Sequence, residues 1–358
     1  MLSSSLKVAL HTATVIAPNW LGDAVMCLPT LARLRAAHPG CAWTVLARPA
    51  VAPVFTLAQL GLTVRTLPAP PSLRIERDNG ARPDLVLVLP NSFYAAVLAW
   101  RVGAKQRVGY AHDRRGFLLR PAVPAPEPGT IPAHESFYYL ELARRAGLIA
   151  ELPPESAPAL RVPLHPDPDA VRSWRRRLGA GAVVALHVGA SFGTAKRWLP
   201  ERFAELAASL AGDGAQVVLV GGEAEREVGR NVRMLAARPF QIKNLAGETS
   251  LPSLAALLSA VDLLVANDSG PMHLAAAVGT PVVALFGSTN DRETYPLTAA
   301  GKLRLLKVPG IECSPCKLRE CPIDHRCMTR MSVAEVLAAA RAVLAETKLA
   351  NAKVNSHA

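Results

Sequence analysis

Apolar runs of strand length alternate with helix-length segments through this chain, in two series separated by a proline-dense stretch. In the first series Val8 to Ala17, Trp43 to Ala47, Leu85 to Leu89 and a short Arg107-Val108-Gly109 segment read as strands. Asp23 to Ala37, Val51 to Leu60 and the stretch through Trp100 read as helices. Such alternation makes parallel β-α-β units, because a parallel neighbour is reached only by a crossover. Residues 153 to 168 then hold six prolines, Pro153, Pro154, Pro158, Pro163, Pro166 and Pro168, too many for a helix or a central strand, and read as a linker. The pattern restarts at a basic helix, Arg172 to Leu178. Strands follow at Val183 to His187, Gln216 to Val220, Ile242 to Leu245, Asp262 to Ala266 and Pro281 to Phe286, with helices between them. The expected fold class is α/β, with two Rossmann-like, doubly wound parallel-sheet domains at residues 1–165 and 166–335, then a C-terminal helix and tail over 336–358. Ligands of such folds sit outside the carboxyl ends of the strands, so a central cleft faced by both sheets is the expected site.

Length and composition narrow the function. A chain of 358 residues has ample material for two cores, and with half its residues hydrophobic and 19% charged it is not disordered. No apolar stretch is long enough to span a bilayer. Val8 to Ala17, interrupted by His11 and without a small-residue cleavage pattern, reads as a first core strand and not a signal peptide. Forty Lys and Arg against 28 Asp and Glu suit a phosphate-rich partner: nucleic acid, an anionic membrane surface, or a phosphorylated sugar or nucleotide. With only 5% aromatic residues and no basic run interleaved with them, a stacking platform for nucleic acid is missing, and no nucleic-acid partner is expected. Six unevenly spaced cysteines do not resemble a secreted disulfide framework, which points to a reducing cytoplasm. Cys313, Cys316, Cys321 and Cys327, with His325 nearby, lack a second C-x-x-C; they read either as a structural zinc site or as packed reduced thiols. A zinc-containing nucleic-acid-binding protein is the non-enzymatic alternative.

Three polar loops follow strands. Gly22 permits a tight turn after the first, and Asp23 stands where the next helix starts; a carboxylate there serves either as an N-cap or as a general base for a substrate hydroxyl. The loop His187 to Trp198 carries Gly189, Ser191, Gly193, Thr194, Lys196 and Arg197, so backbone N–H groups and a cation can surround an anion, although it lacks the Walker A spacing. In Asn267-Asp268-Ser269-Gly270-Pro271-Met272-His273, Ser269 and Gly270 offer N–H groups at a helix N-terminus where the dipole favours phosphate. Gly221 to Glu227 follows another strand and places acids where a ribose is held in dinucleotide folds, but no G-x-G-x-x-G occurs there and a nicotinamide dehydrogenase is not expected.

These motifs, with the Asn244 to Leu251 segment and the Cys-rich stretch, resemble in order the ADP-heptose:lipopolysaccharide heptosyltransferases of glycosyltransferase family 9, from Val8 to about Leu344. The Lys196-Arg197-Trp198 and Asn267 to His273 forms resemble the heptosyltransferase II branch in particular. The resemblance implies a GT-B glycosyltransferase that moves L-glycero-D-manno-heptose from ADP-heptose to the first heptose of the lipopolysaccharide inner core, with inversion. Heptosyltransferase I or another GT-B glycosyltransferase is the alternative. It further implies that Asp23 is the general base and that Lys196 meets the diphosphate. Ser191, Thr194, Asp268, Ser269, Gly270 and His273 would line the sugar-nucleotide pocket, and Thr249 the adenosine. Glu225 would bind the ribose, with Glu227 competing in register. Pro271 departs from the Leu expected there and removes one N–H donor. No catalytic metal and no cofactor beyond the donor substrate are implied. The acceptor would be heptosylated Kdo2-lipid A, reached by peripheral contact with the cytoplasmic face of the inner membrane. Lys105, Arg107, Arg114, Arg115 and Arg120 would meet its phosphates and acidic sugars, or else form a solvated face.

Overall fold

The computed structural model describes residues 10–67 and 82–355, with side chains described through residue 349. The chain divides into two compact units, Met1–Leu164 and His165–Ala358.

Unit 1 contains β1 (Thr12–Ile16), α1 (Leu21–Met26), α2 (Leu28–Ala37), β2 (Ala42–Ala47), α3 (Ala52–Leu57), β3 (Thr63–Thr66), β4 (Leu85–Val88), α4 (Phe93–Val102), β5 (Gln106–Tyr110), β6 (Ala122–Val123) and α5 (Glu135–Arg145). Its sheet runs β3-β2-β1-β4-β5-β6, all parallel, which is the dinucleotide-fold order with its switch point between β1 and β4. β4, Leu-Val-Leu-Val, is buried along its whole length because helices cover both faces of a parallel sheet. α4 is fixed at both ends: Ser92 Oγ accepts from Ala95 N–H, and Gly103 closes the helix at φ 84°, a left-handed conformation that suits glycine. Two expectations are corrected here. The single helix from Asp23 to Ala37 is broken at Cys27, since Pro29 has no N–H with which to continue the ladder. α5, which sequence reading passed over, packs on α1 and α2.

Unit 2 contains α6 (Pro168–Leu178), β7 (Val183–His187), α7 (Pro200–Gly212), β8 (Gln216–Val220), α8 (Arg226–Leu235), β9 (Ile242–Asn244), α9 (Leu251–Ala260), β10 (Leu263–Asn267), α10 (Gly270–Ala277), β11 (Val282–Phe286), α11 (Asp291–Thr294), β12 (Leu303–Lys307), α12 (Arg326–Thr329) and α13 (Val333–Asn355). Its sheet order, β12-β11-β10-β7-β8-β9, is the same topology as that of unit 1, with the switch point between β7 and β10. Every residue of β7, β10 and β11 is buried. Trp198 and Phe203, in edge-to-face contact at 5.0 Å, anchor the core on one side of this sheet together with Met328, Val336, Ala340 and Val343. The terminal helix therefore belongs to unit 2's layers and is not a separate appendage. It begins at Val333, ahead of the expected 336, and runs to Asn355; residues 356–358 lie outside the described residues, as does the start of the first expected strand at Val8.

Candidate active site

The loops at the carboxyl ends of unit 2's strands form a continuous rim, because the strands that precede them are hydrogen-bonded neighbours. At its centre is the switch point, where the turns after β7 and β10 leave the sheet. Asn267, the last residue of β10 and fully buried, holds the β7 loop at both ends: Nδ2 donates to Gly189 O at 3.0 Å, and Oδ1 accepts from Trp198 N–H at 3.0 Å. Lys196 lies on the loop so pinned, and its Nζ donates to Asp268 Oδ2 at 2.8 Å. Thr289, beyond β11, donates to the same carboxylate oxygen at 2.6 Å. The ammonium is thus placed by a buried acid, at the first turn of α10.

The α10 N-terminus is open to a ligand in one respect. Its N-cap, Ser269, does not cap the helix with its side chain; the hydroxyl donates instead to Asn267 O at 2.9 Å and lies 3.0 Å from His187 Nδ1. Burial, reinforced by the charge of Arg197, lowers the His187 pKa to about 4, so the imidazole is neutral at pH 7. Pro271 sits in the first helical turn, where a missing N–H is tolerated. Met272 and His273 are buried just behind it.

The neighbouring turns set the two candidate acids apart. Glu225 is buried, its Oε2 accepting from Gly222 N–H at 2.8 Å, and it is packed against the β7 and β8 turns. A Cβ on Gly189 would lie 2.2 Å from Glu225 Cγ, and one on Gly221 2.8 Å from Glu225 Cβ. Glu227 instead faces solvent in an ion pair with Arg230 at 3.0 Å. The turn after β9 is tied to this group by Gly247 N–H donating to Gly221 O at 3.0 Å, with half-buried Thr249 two positions on. Ser191 and Thr194 are exposed on the β7 loop.

The Cys-rich segment braces that loop from behind. Ala195 N–H donates to Arg319 O at 3.0 Å, His325 Nε2 lies 2.9 Å from Ala195 O, and Ser314 Oγ donates to Gly287 O at 2.6 Å. A Cβ on Gly193 would stand 2.2 Å from Arg319 O, so only glycine lets the two backbones meet. The Lys196 ammonium and the Arg319 guanidinium approach the Phe192 ring, at 5.1 and 5.3 Å from its centroid. The zinc reading finds no support: all six cysteines are free thiols, and among the described residues no group of three or more His, Cys, Asp or Glu is placed to hold a metal ion. Burial, then the neighbouring Cys321, Cys316 and Cys313, pushes the Cys327 thiol up to about 11.

In unit 1, Asp23 stands in the first turn of α1, at that unit's own switch point. It is not the N-cap; Trp20 holds that position. The Asp23 charge lies near buried Tyr139 of α5, whose phenol is pushed up by burial first and by this carboxylate second. Of the basic residues from Lys105 to Arg120, two are committed to the fold. Buried Arg115 donates to the carbonyls of Tyr110, Pro90 and Ser92 and to Asn91 Oδ1, and Arg107 donates to Leu118 O and Ala104 O. Lys105, Arg114 and Arg120 are exposed. A cavity of about 690 Å³ in unit 2, lined by Arg175, Asp262, Lys302 and Glu346 among others, opens at the opposite, amino ends of β10 to β12 and contains none of the expected site residues.

Sequence reading thus missed Asn267, His187, Thr289 and the Arg319 brace. His187 and Asn267 end strands and Thr289 follows one, but the partners of all four are distant in sequence.

Comparison with known proteins gives the family and agrees with the fold. The model of glycosyltransferase family 9 (heptosyltransferase) matches residues 76–326. The chain is similar to lipopolysaccharide heptosyltransferase 2 of Escherichia coli K12, 31% identical over 300 residues that cover 79% of this chain and 85% of that protein. It is likewise similar to lipooligosaccharide heptosyltransferase 2 of Haemophilus influenzae, 28% identical with the same coverage. The solved structure of E. coli ADP-heptose lipopolysaccharide heptosyltransferase II superposes with a TM-score of 0.79 at 27% identity, over 94% of this chain and 99% of that one. With two Rossmann-like units of one topology and these matches, the chain belongs to glycosyltransferase family 9, the heptosyltransferases.

Proposed function

We propose that this protein transfers L-glycero-D-manno-heptose from ADP-heptose to the first heptose of the lipopolysaccharide inner core. The observation that carries the reading is the Lys196–Asp268 pair at 2.8 Å, set on a loop stapled by Asn267 and aimed at the open N-terminus of α10. A diphosphate there meets one cation and a favourable helix dipole, both fixed before the donor arrives. On binding, its oxygens would compete with the Asp268 carboxylate for Lys196.

Transfer then needs only a base. The Asp23 carboxylate takes the proton of the acceptor hydroxyl as that oxygen attacks the anomeric carbon from the face opposite the leaving group. The bond from the anomeric carbon to the ADP oxygen breaks, configuration inverts, and Lys196 offsets the charge that builds on the departing diphosphate. Ser191, Thr194, Ser269, Gly270 and His273 are assigned to the donor's diphosphate and sugar, and Glu225 and Thr249 to its ribose and adenine. The placement of Glu225 against the Gly189 and Gly221 turns, with Glu227 in solvent, favours Glu225 for the ribose.

No described helix is long and apolar enough to cross a membrane. With a lipid-linked acceptor, the enzyme would work in the cytoplasm against the inner face of the inner membrane. The deciding experiment is ADP release from ADP-heptose in the presence of mono-heptosylated Kdo2-lipid A, heptose-free Kdo2-lipid A, or no acceptor. Release confined to the mono-heptosylated acceptor is expected. Release with the heptose-free acceptor would make it a first-heptose transferase, and silence with both would overturn the donor assignment.

A further inference from the structure

Unit 1 carries exposed aromatic rings that the acceptor chemistry does not account for. Phe93 and Trp100 lie seven residues apart on α4, hence on one helical face, and Phe117 follows β5 in a short 3₁₀ turn with its ring 6.2 Å from that of Phe93. These rings are 49%, 55% and 71% exposed, where large apolar side chains are ordinarily covered. Tyr94 and Leu118, their sequence neighbours, pack inward against the unit 1 core, so the outward rings are held on a rigid base. The charge around them is one-sided. From Leu85 to Pro126 the chain has six Lys and Arg against a single acid, Asp113, which lies 2.8 Å from His112 Nδ1. With Arg115 and Arg107 drawn into the fold, Arg101, Lys105, Arg114 and Arg120 remain at the surface. Folding brings Phe117 beside Phe93, and each of these four basic residues lies within five positions of Trp100 or Phe117 in sequence.

We propose that this face docks the protein on an anionic lipid bilayer. The three rings enter the boundary between headgroups and acyl chains, where amphipathic aromatic anchors sit, and the four cations lie over lipid phosphates. Charge complementarity selects this occupant: a second copy of the chain would bring the same positive surface and repel it. The lipid-linked acceptor of the proposed function gives such docking its purpose, but the surface chemistry does not depend on which sugar is transferred.

The test is flotation of the full chain with vesicles of phosphatidylethanolamine and phosphatidylglycerol, against vesicles of phosphatidylcholine alone, without any substrate. Binding to the anionic vesicles is expected, falling with added salt. In the F93S/W100S/F117S variant it should weaken at least about tenfold. The native thermal transition should persist, because the substituted side chains are at the surface. Brominated lipids should quench wild-type tryptophan fluorescence more than that of W100F. With ADP-heptose and a deacylated, water-soluble acceptor the triple variant should keep its turnover. Failure of the wild type to float, or equal flotation of the variant, overturns the proposal. So does loss of turnover on the soluble acceptor, which would assign the rings to saccharide, and so does self-association or RNA binding that the variant abolishes in place of vesicle binding. Absence of transfer with intact vesicle binding would instead remove the heptosyl reading and leave the docking surface standing.

Discussion

In unit 1 the chain passes from β1, ending at Ile16, almost directly into α1 at Leu21, whereas in unit 2 the equivalent turn runs from His187 to Pro200 and is pinned by Asn267 and braced by the Cys-rich segment. The strand order is the same in both units. A short turn suffices to present one carboxylate at a helix start. Holding a cation and several N–H groups in register around a diphosphate takes a longer loop, and a longer loop needs partners from elsewhere in the chain, since loop backbone left unpaired is costly. On the proposed function, one topology would host a base in one unit and an anion site in the other, and the difference lies in how the loops are tied down, not in the sheets.

The sharpest way to break this division is Asp23→Asn. A neutral amide keeps the shape but cannot take the proton, so turnover should fall about a hundredfold to ten-thousandfold while ADP affinity, a unit 2 property, stays near wild type. Calorimetry with ADP beside a transfer assay separates the two; weakened ADP binding would deny that the units divide the work. Lys196→Ala is the converse. It removes the cation proposed to meet the diphosphate and takes from the Asp268 carboxylate its ion-pair partner, so ADP should bind more weakly and kcat/KM drop roughly a hundredfold. Wild-type kinetics in that variant would remove the loop from catalysis.

Asn267→Ala tests the staple itself. Its amide spans Gly189 O and Trp198 N–H in a fully buried position, and both would lose their partner, at a cost of about 2 kcal/mol in stability. Urea unfolding should show that loss, and donor KM should rise as Lys196 gains freedom. Unchanged stability would mean that the Cys-rich brace alone fixes the loop.

How much of this was legible depended on range. The central strands announced themselves: Leu85 to Val88, Val183 to Leu186 and Val282 to Phe286 are continuous apolar runs because helices cover both sheet faces. The edge strands β3, β6 and β12 were not legible, since their residues are mostly half-exposed and give no apolar run. α5 was missed because Glu135, Glu141, Arg144 and Arg145 interrupt its apolar face, although Glu141 is buried with both arginines on its carboxylate. Among the site residues, Asp23, Lys196 and the Asp268 to His273 turn were readable as polar residues just after strands. Asn267 and Arg319 were not assigned, because Asn267 acts on partners about seventy residues away and Arg319 acts through its carbonyl oxygen, which carries no side-chain signature.

The last comparison separates the units by pH. Where unit 1 ends β1 with Ile16, unit 2 ends β7 with buried His187, whose Nδ1 lies 3.0 Å from Ser269 Oγ. Because that hydroxyl already donates to Asn267 O, the imidazole supplies the proton in their contact, as a neutral Nδ1–H tautomer can. Its pKa falls from 6.5 to about 4 through burial and then Arg197, so between those values the unfolded chain binds a proton that the folded one refuses. The stability His187 contributes by staying neutral is complete above pH 6.5. It is lost as pH falls towards 4, where the folded form also protonates and the loss levels off, at most roughly 3 kcal/mol. Urea unfolding at pH 7.5 and pH 5 should therefore show a larger acid loss in the wild type than in His187→Gln, and the wild-type loss should appear in unit 2 before unit 1 when limited proteolysis reports which unit opens. Equal acid sensitivity in both proteins would place the titration elsewhere and leave His187 a purely steric partner of Ser269.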